Sequence, residues 1–361
     1  MADVLLSRYA ESLFWLARYV ERAENLARIL DVNETFSRDS RGGQNWASVL
    51  QLYGDEVRFK ELHGEAAAQA VLRFYVTDVG NPTSIVSSVR NARENARALR
   101  PLISNEMWTQ INVLHNRLAG LSEGALAAGN RARLFGVVKE ACQTHVGVTE
   151  GTFYRGQGWY FCRMGRYIER ADQTTRLLDI KYHLLLPDVS DVGSPLDVSQ
   201  WNALLRSAAG YQAFRQLHPE GITPSRVAAF LLLDPRFPRS VSLCVREAGS
   251  LLGGLRSRHG LRGAAGAAEE LDRLQAVLNT LTMREILKKG LHEFLDMLQR
   301  QLIAVTDDLA GTFFGHGAQS QSQSQSQSGP SGSQSQSQSQ TQSETGFEWW
   351  PPLPPLPPVQ S

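Results

Sequence analysis

Cysteine is scarce in this chain: Cys142, Cys162 and Cys244 are spread through 361 residues and never form a C-x-x-C pair. That excludes a disulfide framework and a cysteine-built metal site, and it fits a reducing compartment in which each thiol is a small buried apolar group. An excess of one charge sign is also missing. The formal net charge of +1 argues against a general nucleic-acid surface, which needs surplus Lys and Arg to neutralise phosphates. Long apolar runs are absent too. The stretch Phe230–Leu233 is far short of the ~20 residues that a membrane span requires. The first 25 residues, MADVLLSRYAESLFWLARYVERAEN, lack the basic start and uninterrupted apolar core of a signal peptide, so the expectation is a soluble cytoplasmic protein.

The familiar catalytic signatures are missing as well. No G-x-x-x-x-G-K-[ST] phosphate loop, no H-E-x-x-H and no G-x-S-x-G occurs. None of the eight histidines follows a carboxylate by three residues, which removes the Glu-x-x-His pairs of a di-iron bundle. Asp179 and His183 are spaced i,i+4, but two ligands do not make a metal site, and surface pairing is the simpler account. Cys142 and His145 lie one helical turn apart, a spacing that helix geometry produces often without any thiolate chemistry. No cofactor and no metal are expected.

What the chain does contain is a copy of itself. RYVERAENLARILD at 18–31 returns as RYIERADQTTRLLD at 166–179, identical at eight of fourteen positions and conservatively changed at four. WASVL from Trp46 returns as WNALL from Trp201, and FKELH from Phe59 as FRQLH from Phe214. Phe74, Asp78, Pro82, Ser84, Val89, Arg90 and Ala92 recur 156 residues later, and Gly151-Thr152-Phe153-Tyr154 is echoed by Gly311-Thr312-Phe313-Phe314. Collinear matches with a slowly growing offset point to a duplication, with units at 1–155 and 156–315. A period this long exceeds that of solenoid repeats, so the expectation is a pseudo-symmetric pair of helical bundles.

Within each unit the hydrophobic spacing is helical. Leu16, Tyr19, Val20, Ala23, Leu26, Ala27 and Leu30 share one stripe, with Arg18, Glu21, Arg22, Asn25 and Arg28 opposite. Helical patterns run through 83–100, 105–121, 131–150, 200–217, 224–233, 239–256, 266–279 and 283–310, with Asn81-Pro82 reading as a helix start and Asp78 and Asp234 as caps. Alternating β-branched runs are nearly absent, so the fold class is all-α. Residues 316–361 differ: 319–343 are almost pure Ser and Gln, with no apolar surface to offset the entropy of ordering, and a disordered tail is expected. The Pro-rich segment Trp349–Pro358 suits a polyproline II rod, either a tethered peptide that docks in a protein groove or a neutral terminal extension.

The charges kept in both copies are the candidate binding residues: Arg18 and Arg166, Glu21 and Glu169, Arg22 and Arg170, Arg28 and Arg176, Asp31 and Asp179. A solvated face is free to diverge between copies, so retention implies partners. Those partners are either each other, across the two units, or a ligand; a buried carboxylate among arginines is costly unless fully paired. Glu21 and Glu169 are the only candidates for a catalytic base, a role that requires a raised carboxylate pKa.

At SRYAESLFWLARYVERAENLARILD (7–31), GWYFCRMGRYIERADQTTRLLD (158–179) and FLLLDPRFPRSV (230–241) the chain resembles the alpha-E domain family, over about 1–315. The resemblance implies a bacterial all-helical component of a peptide- or amide-bond-forming system. Its implied partners are an ATP-grasp-type ligase and a transglutaminase-like protein. It also places the family's glutamate on Glu21 and Glu169. Glu94, in RNARENAR, has Ser250 as its counterpart and so is not a shared carboxylate. The leading expectation is an accessory protein that binds no nucleotide and holds a ligase or its peptide through the paired charged helices. The alternatives are an enzyme with Glu21 or Glu169 as base in a cleft between the units, and a purely structural scaffold.

Overall fold

The computed structural model describes residues 5–39, 46–184 and 195–314, and among these there are helices and turns but no strand. The Ser/Gln-rich and Pro-rich segments lie outside the described residues. Two long helices organise the rest: α1 (Ser7–Asp39) and, later, α8 (Gln157–Leu184). Between them run three short helices, α2 (Ala47–Tyr53), α3 (Glu56–His63) and α4 (Ala68–Val76). Three longer ones follow, α5 (Ile85–Ala98), α6 (Asn105–Ala119) and α7 (Arg131–Thr152), with a short 3₁₀ turn at Glu123–Leu126. After α8 come α9 (Pro195–Ser207), α10 (Tyr211–Leu217), α11 (Pro224–Leu233), α12 (Val241–His259), α13 (Ala265–Thr280), a short α14 (Met283–Lys289) and α15 (Leu291–Phe313).

Helices α1, α5, α6 and α7 contact one another in a closed ring, and so do α8, α12, α13 and α15. Each ring is a four-helix bundle, and the two share their most extensive face along α1 and α8. The short helices cross over: α2 packs on α8, while α9 packs on α1 as well as on α8. All the described residues belong to one compact unit.

The central position of α1 and α8 explains their residues. Ordinary amphipathic helices bury one stripe, yet from Ala10 to Leu30 almost every side chain of α1 is buried, the polar ones included. Leu16, Tyr19, Ala23 and Leu30 supply apolar contact, and Arg18, Glu21, Arg22 and Asn25 are enclosed too. The charged side is therefore a second interior face. Close approach of the two helices is set by Gly165 on α8, where an added Cβ would overlap the backbone carbonyl oxygen of Phe14 on α1.

Several boundaries differ from those expected. Helix α5 starts at Ile85, capped by the Ser84 hydroxyl accepting from Ser87 N, and α12 starts at Val241 with Ser240 accepting from Leu243 N. Asn81 caps nothing; its side chain accepts from Thr83 N and donates to the carbonyl of Phe74. Asp78 and Asp234 fold tight turns ahead of these helices, accepting from Gly80 N and from Arg236 N and Phe237 N. The pattern over 200–217 divides at Ala209 and Gly210, with Ala209 at φ 55°, and that over 283–310 divides at Gly290, with φ 114°. In both places the apolar period continues across the break, which is why periodicity alone does not reveal it.

Candidate functional site

Pairing of α1 with α8 places the two Glu-Arg steps, Glu21-Arg22 and Glu169-Arg170, opposite each other. Each arginine crosses to the other helix's glutamate. Arg22 donates through Nε and Nη2 to the two oxygens of Glu169 at 2.7 and 2.9 Å. Arg170 donates through the same atoms to the two oxygens of Glu21 at 2.9 and 2.8 Å. These fork-to-fork pairs combine charge with fixed planar geometry.

A second arginine completes each carboxylate. Arg18 Nε lies 2.8 Å from Glu169 Oε2, and Arg239 Nη1 lies 2.6 Å from Glu21 Oε1. One turn on along each helix, Asn25 donates to Glu21 and Gln173 to Glu169, both at 3.2 Å. The side chains of Glu21 and Glu169 are 0% exposed. Burial pushes each carboxyl pKa up, but the guanidiniums outweigh it: Arg170 and Arg239 hold Glu21 far below the usual range, and Arg22 and Arg18 hold Glu169 at about 2. Both carboxylates are therefore ionised and fully engaged.

The remaining candidates surround this centre. Arg28 pairs with Glu24 and Arg176 with Asp172, each i,i+4 on its own helix. Glu24 also accepts from Arg239 Nη2 at 2.8 Å, which joins it to the centre. Asp31 accepts from Lys139 of α7 at 2.6 Å, and Asp179 lies 2.8 Å from Nδ1 of His292 of α15, so these acids fasten each long helix to the last helix of its own bundle. Arg166 departs from the pattern. Its counterpart Arg18 holds Glu169, but Arg166 turns to Glu150 of α7 at 2.8 Å, and Arg239 fills the vacated place beside Glu21.

Sequence reasoning passed over Glu24, Asp172 and Arg239. The first two carried a signal: each stands four residues before a retained arginine, 148 residues apart. Arg239 has Thr83 as its counterpart, so a search for charges kept in both copies discards it.

The spacing of Cys142 and His145 does not produce a reactive pair. Cys142 and His145 share no hydrogen bond among the described residues; burial pushes the thiol far up and the imidazole down to about 4. The side chain of His183 lies outside the described residues. Burial also raises the Cys162 thiol to about 11 and Cys244 to about 12. Among the described residues no group of three or more His, Cys, Asp or Glu is placed to hold a metal ion, and no helix is long and apolar enough to cross a membrane.

Fold and centre together define an all-helical protein of two four-helix bundles, locked along one shared face by buried, crossed Glu–Arg pairs. The chain belongs to the Alpha-E family, described as a predicted alpha-helical domain with a conserved ER motif, whose model matches residues 5–314. In this chain the ER dipeptide occurs at 21–22 and 169–170. The chain is also similar to uncharacterised proteins of Mycobacterium bovis and Mycobacterium tuberculosis, at 24% identity over 338 residues in each case. A second Mycobacterium tuberculosis strain carries one at 23% identity. The match takes in 84% of this chain but only 36% of each of these relatives, so the chain spans about a third of their length. No solved structure gives a significant match.

Proposed function

We propose that this protein is a non-nucleotide-binding accessory component of a peptide- or amide-bond-forming system, serving as a rigid module that holds an ATP-grasp-type ligase or its peptide. The observation that carries this reading is the closure of the centre. Of the charges repeated in the sequence, Arg18, Arg22, Arg170, Glu21 and Glu169 are spent on one another, and the side chains of both glutamates are fully buried. A general base needs a raised pKa and a lone pair open to substrate. Glu21 and Glu169 have the opposite environment, which favours a fixed binding body over an enzyme. The charged helices contribute by setting the angle between the bundles, and binding uses the outer surface. The mycobacterial relatives support a modular role, since in them the matching region is one part of a much longer chain. On this reading the protein works in the cytoplasm, with a transglutaminase-like protein as a further partner and the Pro-rich tail docking in a partner's groove.

The test is purification of the tagged full-length chain from its source organism, with mass spectrometry of what co-elutes and calorimetry with ATP on the isolated chain. The expected result is a co-eluting ATP-grasp ligase and no heat of ATP binding. ATP binding by the isolated chain, or repeated preparations without any ligase, would overturn the proposal.

A further inference from the structure

The end of α12 carries a feature that the crossed network does not use. A groove of about 530 Å³ is lined by Gly253, Arg256, Ser257, Leu261, Arg262 and Gly263. Arg256 and Arg262 are exposed, and neither makes an ion pair among the described residues. Exposed Arg258 also stands here, within the basic stretch RSRHGLR at 256–262, which contains no carboxylate. The helix C-terminus accounts for cations in the last turn of α12. It does not account for Arg262, which lies beyond the helix, or for the hollow between the two arginines.

The chain contains its own control. With the register of 156 residues that aligns the Ser84 and Ser240 caps, Arg256 corresponds to Arg100 at the end of α5, Gly253 to Arg97 and Ser250 to Glu94. At the end of α5 both arginines have partners: Arg97 pairs with Glu94 at 2.6 Å, and Arg100, just past the helix, donates to Asn105 Oδ1 of α6 and lies over the Trp108 ring. In α12 serine replaces the carboxylate, and glycine replaces the arginine that would fill the space. An added Cβ at Gly253 would meet nothing within 4 Å. On the far side Gly263 lies against Thr312 of α15 with φ 113°, and Ala264 follows at φ 49°, so the chain bends sharply around the groove instead of closing it.

We infer that this groove is a binding site for a short acidic peptide segment, whose Asp or Glu carboxylate bridges Arg256 and Arg262. Guanidiniums hold carboxylates by paired hydrogen bonds, and the exposed arginines lose little solvation before the ligand arrives. Gly253 and Gly263 leave space for a peptide backbone beside the two arginines. The site stands on its own residues, so it holds or fails independently of the ligase association.

The probe is a fluorescein-labelled peptide of alternating Glu and Gly, titrated with the full-length chain by anisotropy at low salt. Binding is expected, weakening as salt rises. Arg256→Glu with Arg262→Glu should abolish it, with about a tenfold loss for each arginine. The pair Arg117→Glu with Arg133→Glu, which makes the same charge change on exposed sites elsewhere, should leave most of the affinity. Gly253→Glu supplies an internal carboxylate three residues before Arg256. It should raise the thermal midpoint, because glycine is a poor helix former, while eliminating peptide binding. Equal losses in the Arg117/Arg133 control would overturn the site. So would peptide binding that survives in Gly253→Glu, or binding to a duplex oligonucleotide or anionic vesicles with none to the peptide.

Discussion

Arg22 on α1 and Arg170 on α8 hold each other's neighbouring glutamates, Arg22 gripping Glu169 and Arg170 gripping Glu21 with nearly the same distances. An exchange of this kind has a structural consequence that separate intrahelical pairs lack. If either helix slides by one residue, both forks lose their partners together. Burial of apolar side chains is non-directional and does not by itself fix the register. The crossed pairs do, and they do so in a place where an unpaired charge is heavily penalised.

Removing one negative charge from the centre should therefore be expensive. Glu169→Gln leaves Arg18 and Arg22 facing a neutral amide without water, and should cost about 3–5 kcal/mol. Glu94→Gln, at a half-exposed surface pair, should change stability by less than about 0.5 kcal/mol. Urea midpoints of the two variants, at unchanged slope, check this. Equal small losses would mean that Glu169 is not enclosed as described.

The contact at Gly165 gives an independent measure of how close α1 and α8 lie. Here the added methyl meets the backbone of Phe14, which cannot rotate away as a side chain would. Gly165→Ala should cost about 1–3 kcal/mol, the usual range for overpacking, despite the better helix propensity of alanine. A neutral or stabilising effect by thermal or urea unfolding would show that the helices are farther apart.

The helices and the repeated charges were legible in the sequence because helical spacing and retention between copies are both local patterns. The crossing was not. From RYVERAEN alone, Glu21 pairs as readily with Asn25 or Arg18 on its own helix as with an arginine 149 positions away, and only the α1–α8 packing decides. Periodicity records the polarity of this side of α1 but not what covers it; retention in both copies points to partners, across the units or from a ligand, without choosing between them. Arg239 escaped because its role is created by asymmetry: Arg166 swings to Glu150, and a residue whose counterpart is Thr83 takes its place. Breaks at Gly290 and at Ala209-Gly210 were hidden by apolar spacing that runs through them.

Buried groups make the protein sensitive to acid, in successive windows: His145 first, then the carboxylates of Glu169 and Glu21. His145 has a folded pKa of about 4, below its unfolded 6.5, because burial disfavours the imidazolium. The unfolded chain therefore binds a proton first, and stability falls as pH drops from 6.5 to 4, by about 3 kcal/mol. Glu169, at about 2 against 4.5 unfolded, contributes stability present above pH 4.5 and lost as pH falls towards 2. His292 acts in the opposite sense, since Asp179 raises its pKa, but its side chain is 50% exposed and the effect is small. Urea midpoints from pH 7.5 to 3 should decline from about 6.5 downward, and His145→Leu should flatten the first part of that decline while leaving the part below about 4.5. A midpoint in the parent protein independent of pH between 6.5 and 4.5 would contradict the burial of His145.

The shared face also predicts what happens when the chain is divided between the bundles. Fragment 1–155 contains a complete ring of α1, α5, α6 and α7, and fragment 156–315 the ring of α8, α12, α13 and α15. Yet each exposes on separation a long helix whose second face is apolar as well as charged; Phe14 of α1, for example, loses its contact with Phe314 at 5.2 Å. The short helix α2 loses its seat on α8, and α9 its seat on α1. Each fragment should therefore be partly helical with a broad, weakly cooperative thermal transition by circular dichroism. Mixing the two should restore a single sharp transition and a 1:1 complex in sedimentation. Association should depend on the crossed pairs: carrying Glu169→Gln into the second fragment removes about 3–5 kcal/mol, which weakens the complex by at least about a hundredfold. If either fragment alone unfolds as sharply and at as high a temperature as the whole chain, the bundles are autonomous and the Glu–Arg exchange merely decorates their contact.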